Sequence, residues 1–244
     1  MGVLIAAHGL RGAGAKNDGF FHLAERVASH FPTSQVGVGF IKGEPGIDAA
    51  IRKLDAANIV VYPLFLGAGY FGRTVVGRAV EEMCKERPDC VVKVLPPLGL
   101  DPELADIIGR KAAHAARSHS FAARQTTLVL LAHGSRQDPA SADAAEKIAQ
   151  RIRATGLFSD ICVAFLEQTP TFNETLTELA GPVIVVGLFT GDGLHGADDV
   201  NRLMSGLNRR NAICLQNVGQ FAELEDLVTA RIDRALTDLV AASF

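Results

Sequence analysis

The stretch LVLLAHGSR, Leu128 to Arg136, decides the fold, because the chain carries a near copy of it, LIAAHGLR, from Leu4 to Arg11. His8 falls on His133, Gly9 on Gly134 and Arg11 on Arg136, an offset of 125 residues. Three further matches follow in the same order. GFIKGEP (Gly39 to Pro45) lies on AFLEQTP (Ala164 to Pro170), PLFLGAGYFG (Pro63 to Gly72) on GLFTGDGLHG (Gly187 to Gly196), and LGLDPEL (Leu98 to Leu104) on VGQFAEL (Val218 to Leu224). Self-similarity at a fixed spacing marks repeated structural units. The chain of 244 residues therefore reads as two tandem repeats, 1–120 and 126–244. The join near Ser118 to Thr126 lacks apolar periodicity.

Each repeat has the same layout. Short apolar strands are expected at Val3 to Ala7, Gln35 to Ile41, Asn58 to Phe65 and Val91 to Leu95. Their partners in the second repeat are Leu128 to Ala132, Ile161 to Leu166, Pro182 to Phe189 and Ala212 to Gln216. Helical patterns alternate with them: Asn17 to Ser29, Gly46 to Ala56 and Arg73 to Arg87, then Ala140 to Thr155, Thr171 to Leu179 and Asp198 to Asn208, with a last helix closing each repeat. Near-continuous apolar strands alternating with amphipathic helices indicate parallel sheets covered on both faces. The fold class is α/β, with two doubly wound, flavodoxin-like domains expected to face a central cleft.

Composition narrows the function. Hydrophobic residues make up 48% and charged residues 21% of the chain, which is ordinary globular usage and excludes a disordered or coiled-coil protein. No apolar run approaches the roughly 18 residues of a membrane span, and MGVLIAAHGL has no basic leader region, so a cytoplasmic protein is expected. Cys84, Cys90, Cys162 and Cys214 form no metal-binding spacing and read as free thiols. The net charge of −3 argues against nucleic acid as a partner. It divides unevenly. Residues 1–125 hold 15 Lys and Arg against 12 Asp and Glu, whereas residues 126–244 hold 9 against 15. The nets are +3 and −6, an asymmetry that the total hides.

In open α/β sheets, ligands bind beyond the carboxyl ends of the strands. His133, Glu167 and His195 follow the first three strands of the second repeat and would rise from one sheet edge. Two imidazoles and a carboxylate suit Co²⁺, Fe²⁺, Ni²⁺ or Zn²⁺. The first repeat keeps His8 but places Lys42 where Glu167 stands and Phe71 where His195 stands, so metal chemistry is expected in the second repeat alone. Arg11, Arg73 and Arg136 fall in expected strand-end loops, where a guanidinium can either grip a ligand's carboxylates in pairs of hydrogen bonds or pair with acids of the helices.

The strings LVLLAHGSR, AFLEQTPTF and GLFTGDGLHGADDV resemble the class II, ATP-independent tetrapyrrole chelatases, and specifically the sirohydrochlorin cobalto- and ferrochelatases in their long tandem-repeat form. The resemblance implies a lyase that inserts a divalent metal into sirohydrochlorin, in cobalamin or siroheme biosynthesis. Cobalt is favoured, with iron and nickel as the other candidates. It implies His133 and His195 as metal ligands and Glu167 as the acidic group, the three forming the catalytic set. Arg11, Ser135, Arg136 and His8 are the candidate substrate contacts. The metal is substrate and no permanent cofactor is expected; the protein is expected to act as a monomer or homodimer, without nucleic acid or membrane. A non-catalytic metal or tetrapyrrole carrier is the alternative. A phosphohistidine-type phosphatase is disfavoured because Ala132, not an arginine, precedes His133.

Overall fold

The computed structural model describes residues 1–10, 17–67, 74–135, 140–191 and 211–242. Among these are two four-stranded parallel sheets. The first is built from β1 (Gly2–Ala7), β2 (Gln35–Phe40), β3 (Asn58–Pro63) and β4 (Val91–Val94), in the order β2-β1-β3-β4. The second is built from β5 (Thr127–Ala132), β6 (Asp160–Phe165), β7 (Val183–Gly187) and β8 (Ala212–Cys214), in the matching order β6-β5-β7-β8. The central strands are apolar on both faces because both faces are covered: β1 is buried along its whole length, and β5 from Leu128 onward.

The helices supply the covers. In α1 (Asp18–His30), Phe20, Leu23, Ala24 and Val27 are buried at the spacing of one helical face. α2 (Ile47–Arg52) and α3 (Val76–Glu86) bring Ile47, Ile51, Val76 and Met83 against Leu4, Ala6, Ile59 and Val61 of the first sheet. In the second sheet, α6 (Phe172–Glu178) brings Phe172 and Leu176 onto Val129, Leu131, Val183 and Val185. α4 (Pro102–Ser118) and α5 (Ala140–Arg153) pack on each other and on β5, β6 and β7. None of the helices is long and apolar enough to cross a membrane, among the described residues.

The last helix of each repeat is exchanged. One compact unit comprises residues 1–98 with 222–244, and the other comprises 99–221. Thus α4, at the end of the first repeat, packs in the second sheet's unit, while α7 (Ala222–Ala241) contacts α1 and β3. Lys93 at the end of β4 pairs with Asp238 of α7 at 2.9 Å, and Arg26 of α1 pairs with Glu225 of α7. On the second unit, the ammonium of Lys111 in α4 lies 4.9 Å from the ring of Phe221.

This exchange cancels the charge division. Counted over whole packing units, Lys and Arg number 13 against 14 Asp and Glu in the first, and 11 against 13 in the second. The nets are −1 and −2, because the five acids of 222–244 leave the acidic half and pack in the basic one. A basic half and an acidic half therefore exist along the chain but not in the folded units.

Candidate functional site

The strand register sets which side chains meet. In the first sheet Ala7 pairs with Phe40, and in the second Ala132 pairs with Phe165, so these strands stop together. The ladder then runs on into the loops. Ile41 N donates to Ala7 O at 3.0 Å and Lys42 N to His8 O at 2.6 Å. In the second repeat Leu166 N donates to Ala132 O at 3.1 Å and Glu167 N to His133 O at 3.0 Å. Because of these bonds, His8 stands beside Lys42 and His133 beside Glu167. The loops that carry Lys42 and Glu167 close alike: Phe40 N donates to Pro45 O and Phe165 N to Pro170 O, each loop passing through a cis Glu44–Pro45 or Thr169–Pro170 bond.

The glycine after each histidine is demanded by the backbone. Gly9 and Gly134 have φ of 68° and 77°, in the left-handed region that costs a glycine little. A Cβ on Gly9 would fall 2.3 Å from Lys42 O, and one on Gly134 would fall 2.7 Å from Gln168 Cγ. The sharp turn thus keeps each histidine tight against the neighbouring loop.

The two pairs differ in chemistry. His133 Nδ1 lies 3.8 Å from Glu167 Oε2; the two side chains are 44% and 61% exposed, while Nδ1 itself is shielded from solvent. Donor atoms each about 2.0–2.2 Å from one ion sit roughly 3–4 Å apart, so this separation suits a shared cation. Where Glu167 offers an anion, Lys42 offers a cation. Downstream, the loop is anchored by a capping box on α6: Glu174 N donates to Thr171 Oγ1 at 3.3 Å and Thr171 N to Glu174 Oε2 at 2.8 Å. The two Thr171 donors hold the Glu174 carboxyl below the usual carboxylate range.

Of the residues singled out in the sequence, His133, Glu167, Ser135 and His8 are described, and His133 and Glu167 come together. His195, Arg11, Arg73, Arg136 and Phe71, and the helix expected at Asp198 to Asn208, lie outside the described residues. Among the described residues no group of three His, Cys, Asp or Glu is poised for a metal. The sequence reading passed over Gln168, whose side chain accepts a hydrogen bond from Ser135 N at 2.7 Å. The one signal for it was the contrast between copies, since Gly43 occupies its place in the first repeat. The cysteines are free thiols; burial raises Cys90 and Cys162, and pushes Cys214 up to about 11.

Comparison with known proteins gives a consistent set of matches. The model of the CbiX family matches twice, over residues 2–115 and 127–235. A Halobacterium salinarum protein described as a "probable sirohydrochlorin cobaltochelatase" is 23% identical over 219 residues, which is 81% of this chain and 74% of that one. The solved structure of a CbiX described as the terminal enzyme of siroheme biosynthesis in denitrifying bacteria is 26% identical, with a TM-score of 0.77 over 96% of this chain and 99% of that one. SirB from Bacillus subtilis, solved with Fe³⁺, shares the fold at 18% identity and a TM-score of 0.77, covering 95% of this chain and 94% of that one.

Proposed function

The chain belongs to the CbiX family, and on that premise we propose that it inserts a divalent metal ion into sirohydrochlorin without ATP, with cobalt favoured over iron and nickel. The observation that carries this reading is the His133–Glu167 pair, held 3.8 Å apart at the carboxyl edge of the second sheet. The name of the halobacterial relative supports cobalt, and the siroheme role of the solved CbiX supports iron as the competitor.

The chemistry follows from the donor types. Insertion must strip water from the ion and remove two protons from pyrrole nitrogens. An imidazole holds a first-row ion well enough to capture it and loosely enough to release it, whereas a thiolate cage would retain it. An imidazole can also serve as a base, so in this reading His133 takes up a proton as the metal leaves. Glu167 offsets the charge of the ion and accepts the second proton. His195, which follows β7 in the sequence, completes the ligand set in this reading. His8, Arg11, Ser135 and Arg136 contact the substrate. In this reading the protein works in the cytoplasm, as monomer or homodimer, with its four cysteines as free thiols.

The test is anaerobic insertion into sirohydrochlorin, followed by absorbance, with Co²⁺, Fe²⁺ and Ni²⁺ in turn. We expect catalysed insertion, fastest with Co²⁺. Binding of sirohydrochlorin with insertion no faster than in buffer would make the protein a carrier and overturn the proposal.

A further inference from the structure

The second repeat ties its two site loops together through a side chain. Ser135 follows the His133-Gly134 turn, and its N–H donates to Gln168 Oε1 at 2.7 Å. Gln168 directly follows Glu167, so this bond joins the loop that carries the imidazole to the loop that carries the carboxylate. It lies beside the backbone bond from Glu167 N to His133 O at 3.0 Å. The stem of Gln168 also lies close against Gly134, as a Cβ there would meet its Cγ at 2.7 Å and its Oε1 at 3.1 Å.

The first repeat solves the same local problem differently. Leu10, the counterpart of Ser135, donates its N–H to Asn17 Oδ1 at 3.0 Å, and Asn17 Nδ2 donates to Leu10 O at 3.1 Å. Both groups belong to one loop and the start of its own helix. The counterpart of Gln168 is Gly43, which has no side chain to reach across. Among the described residues, this clamp is seen in the copy that pairs a histidine with a carboxylate, and in the copy with Lys42 the equivalent Gly43 has no side chain to form it.

We infer that Gln168 is a positioning residue, which holds the His133 and Glu167 loops in register for metal insertion. The inference rests on the function proposed above and on the same site. The backbone bond fixes His133 O, but the peptide beyond it turns on the two free dihedrals of Gly134. Gln168 fixes the far end of that hinge at Ser135 N. A reacting group displaced by about 1 Å can lose roughly 100-fold in rate, so a clamp across a glycine hinge has a kinetic consequence without touching the substrate.

The full-length protein tests this with Q168M, which keeps the stem and removes the acceptor, and with Q168E, whose carboxylate oxygen still accepts from Ser135 N. Q168A stands in for Q168M if that variant does not fold. Cobalt insertion into sirohydrochlorin is expected to show kcat for Q168M lowered about 10- to 100-fold, an unchanged KM for sirohydrochlorin and an unchanged Tm. Q168E is expected to recover most of the lost kcat. A wild-type kcat for Q168M, a loss carried by KM alone, or a Q168E as slow as Q168M would overturn the inference. H133A measured alongside separates the two claims. An inactive H133A beside a normal Q168M removes the positioning role alone, whereas a fully active H133A removes the functional reading beneath it.

Discussion

The two repeats close their first two strand-end loops on the same backbone bonds, residue for residue, yet present opposite charges there. His8 stands beside Lys42 and His133 beside Glu167, each joined by a hydrogen bond from the second residue's N–H to the histidine carbonyl. The scaffold is thus indifferent to what the loop carries, because main-chain bonds and a left-handed glycine hold it. In the proposed reading the copies part at two side chains, Glu167, which carries the carboxylate, and Gln168, which positions its loop; their counterparts are Lys42 and Gly43. In this account, one copy of a duplicated fold keeps the metal chemistry and the other keeps the shape.

The largest effect expected is at His195. H195A should abolish metal insertion while the protein still folds, measured by absorbance and by circular dichroism; a wild-type rate would remove His195 from the ligand set. Next come the charged partners. E167A should slow insertion by about 100-fold, the lower range for a lost acid–base group, while K42A should leave kcat within about twofold. Equal losses in both would break the contrast between the repeats.

Smaller effects separate shape from chemistry. G134A and G9A each force a side chain into a left-handed backbone and a close contact, which costs on the order of 1–3 kcal/mol. Thermal melts should show both losses, but only G134A should also depress kcat, since only that turn carries the working histidine. The smallest effect is at the start of the second helix of each repeat. T171A removes a side-chain cap and should cost about 1 kcal/mol, whereas Gly46, its counterpart, has no side chain to cap α2. Because Glu174 is held below its ordinary value by Thr171, its contribution is present above the usual carboxylate pKa and fades as pH falls through the depressed one. The T171A deficit in urea melts should therefore narrow in acid.

Much of the fold was legible in the sequence because fully buried parallel strands must be apolar at every position. The strands expected at Val3 to Ala7 and Leu128 to Ala132 appear as Gly2–Ala7 and Thr127–Ala132. The helix expected at Gly46 to Ala56 is shorter, Ile47–Arg52, because the chain turns at Lys53 to reach β3. The exchange of α4 and α7 was not legible. An amphipathic pattern says that a face is buried, not which sheet buries it, and both sheets of a duplicated fold offer similar surfaces. The charge division failed for the same reason, since it assumed that each helix stays with its own repeat. At the site, residue types at strand ends brought His133 and Glu167 to notice, but Gln168 acts through a loop contact whose partner is a backbone N–H, and such a partner leaves no mark in sequence.

The central claim is that metal insertion belongs to the second repeat alone. Single-turnover cobalt insertion into sirohydrochlorin, run side by side with H8A and H133A, tests it most directly. H133A is expected to show no catalysed insertion, and H8A a full maximal rate with a raised requirement for sirohydrochlorin. Insertion by H133A at the wild-type rate, or its abolition in H8A, would contradict it.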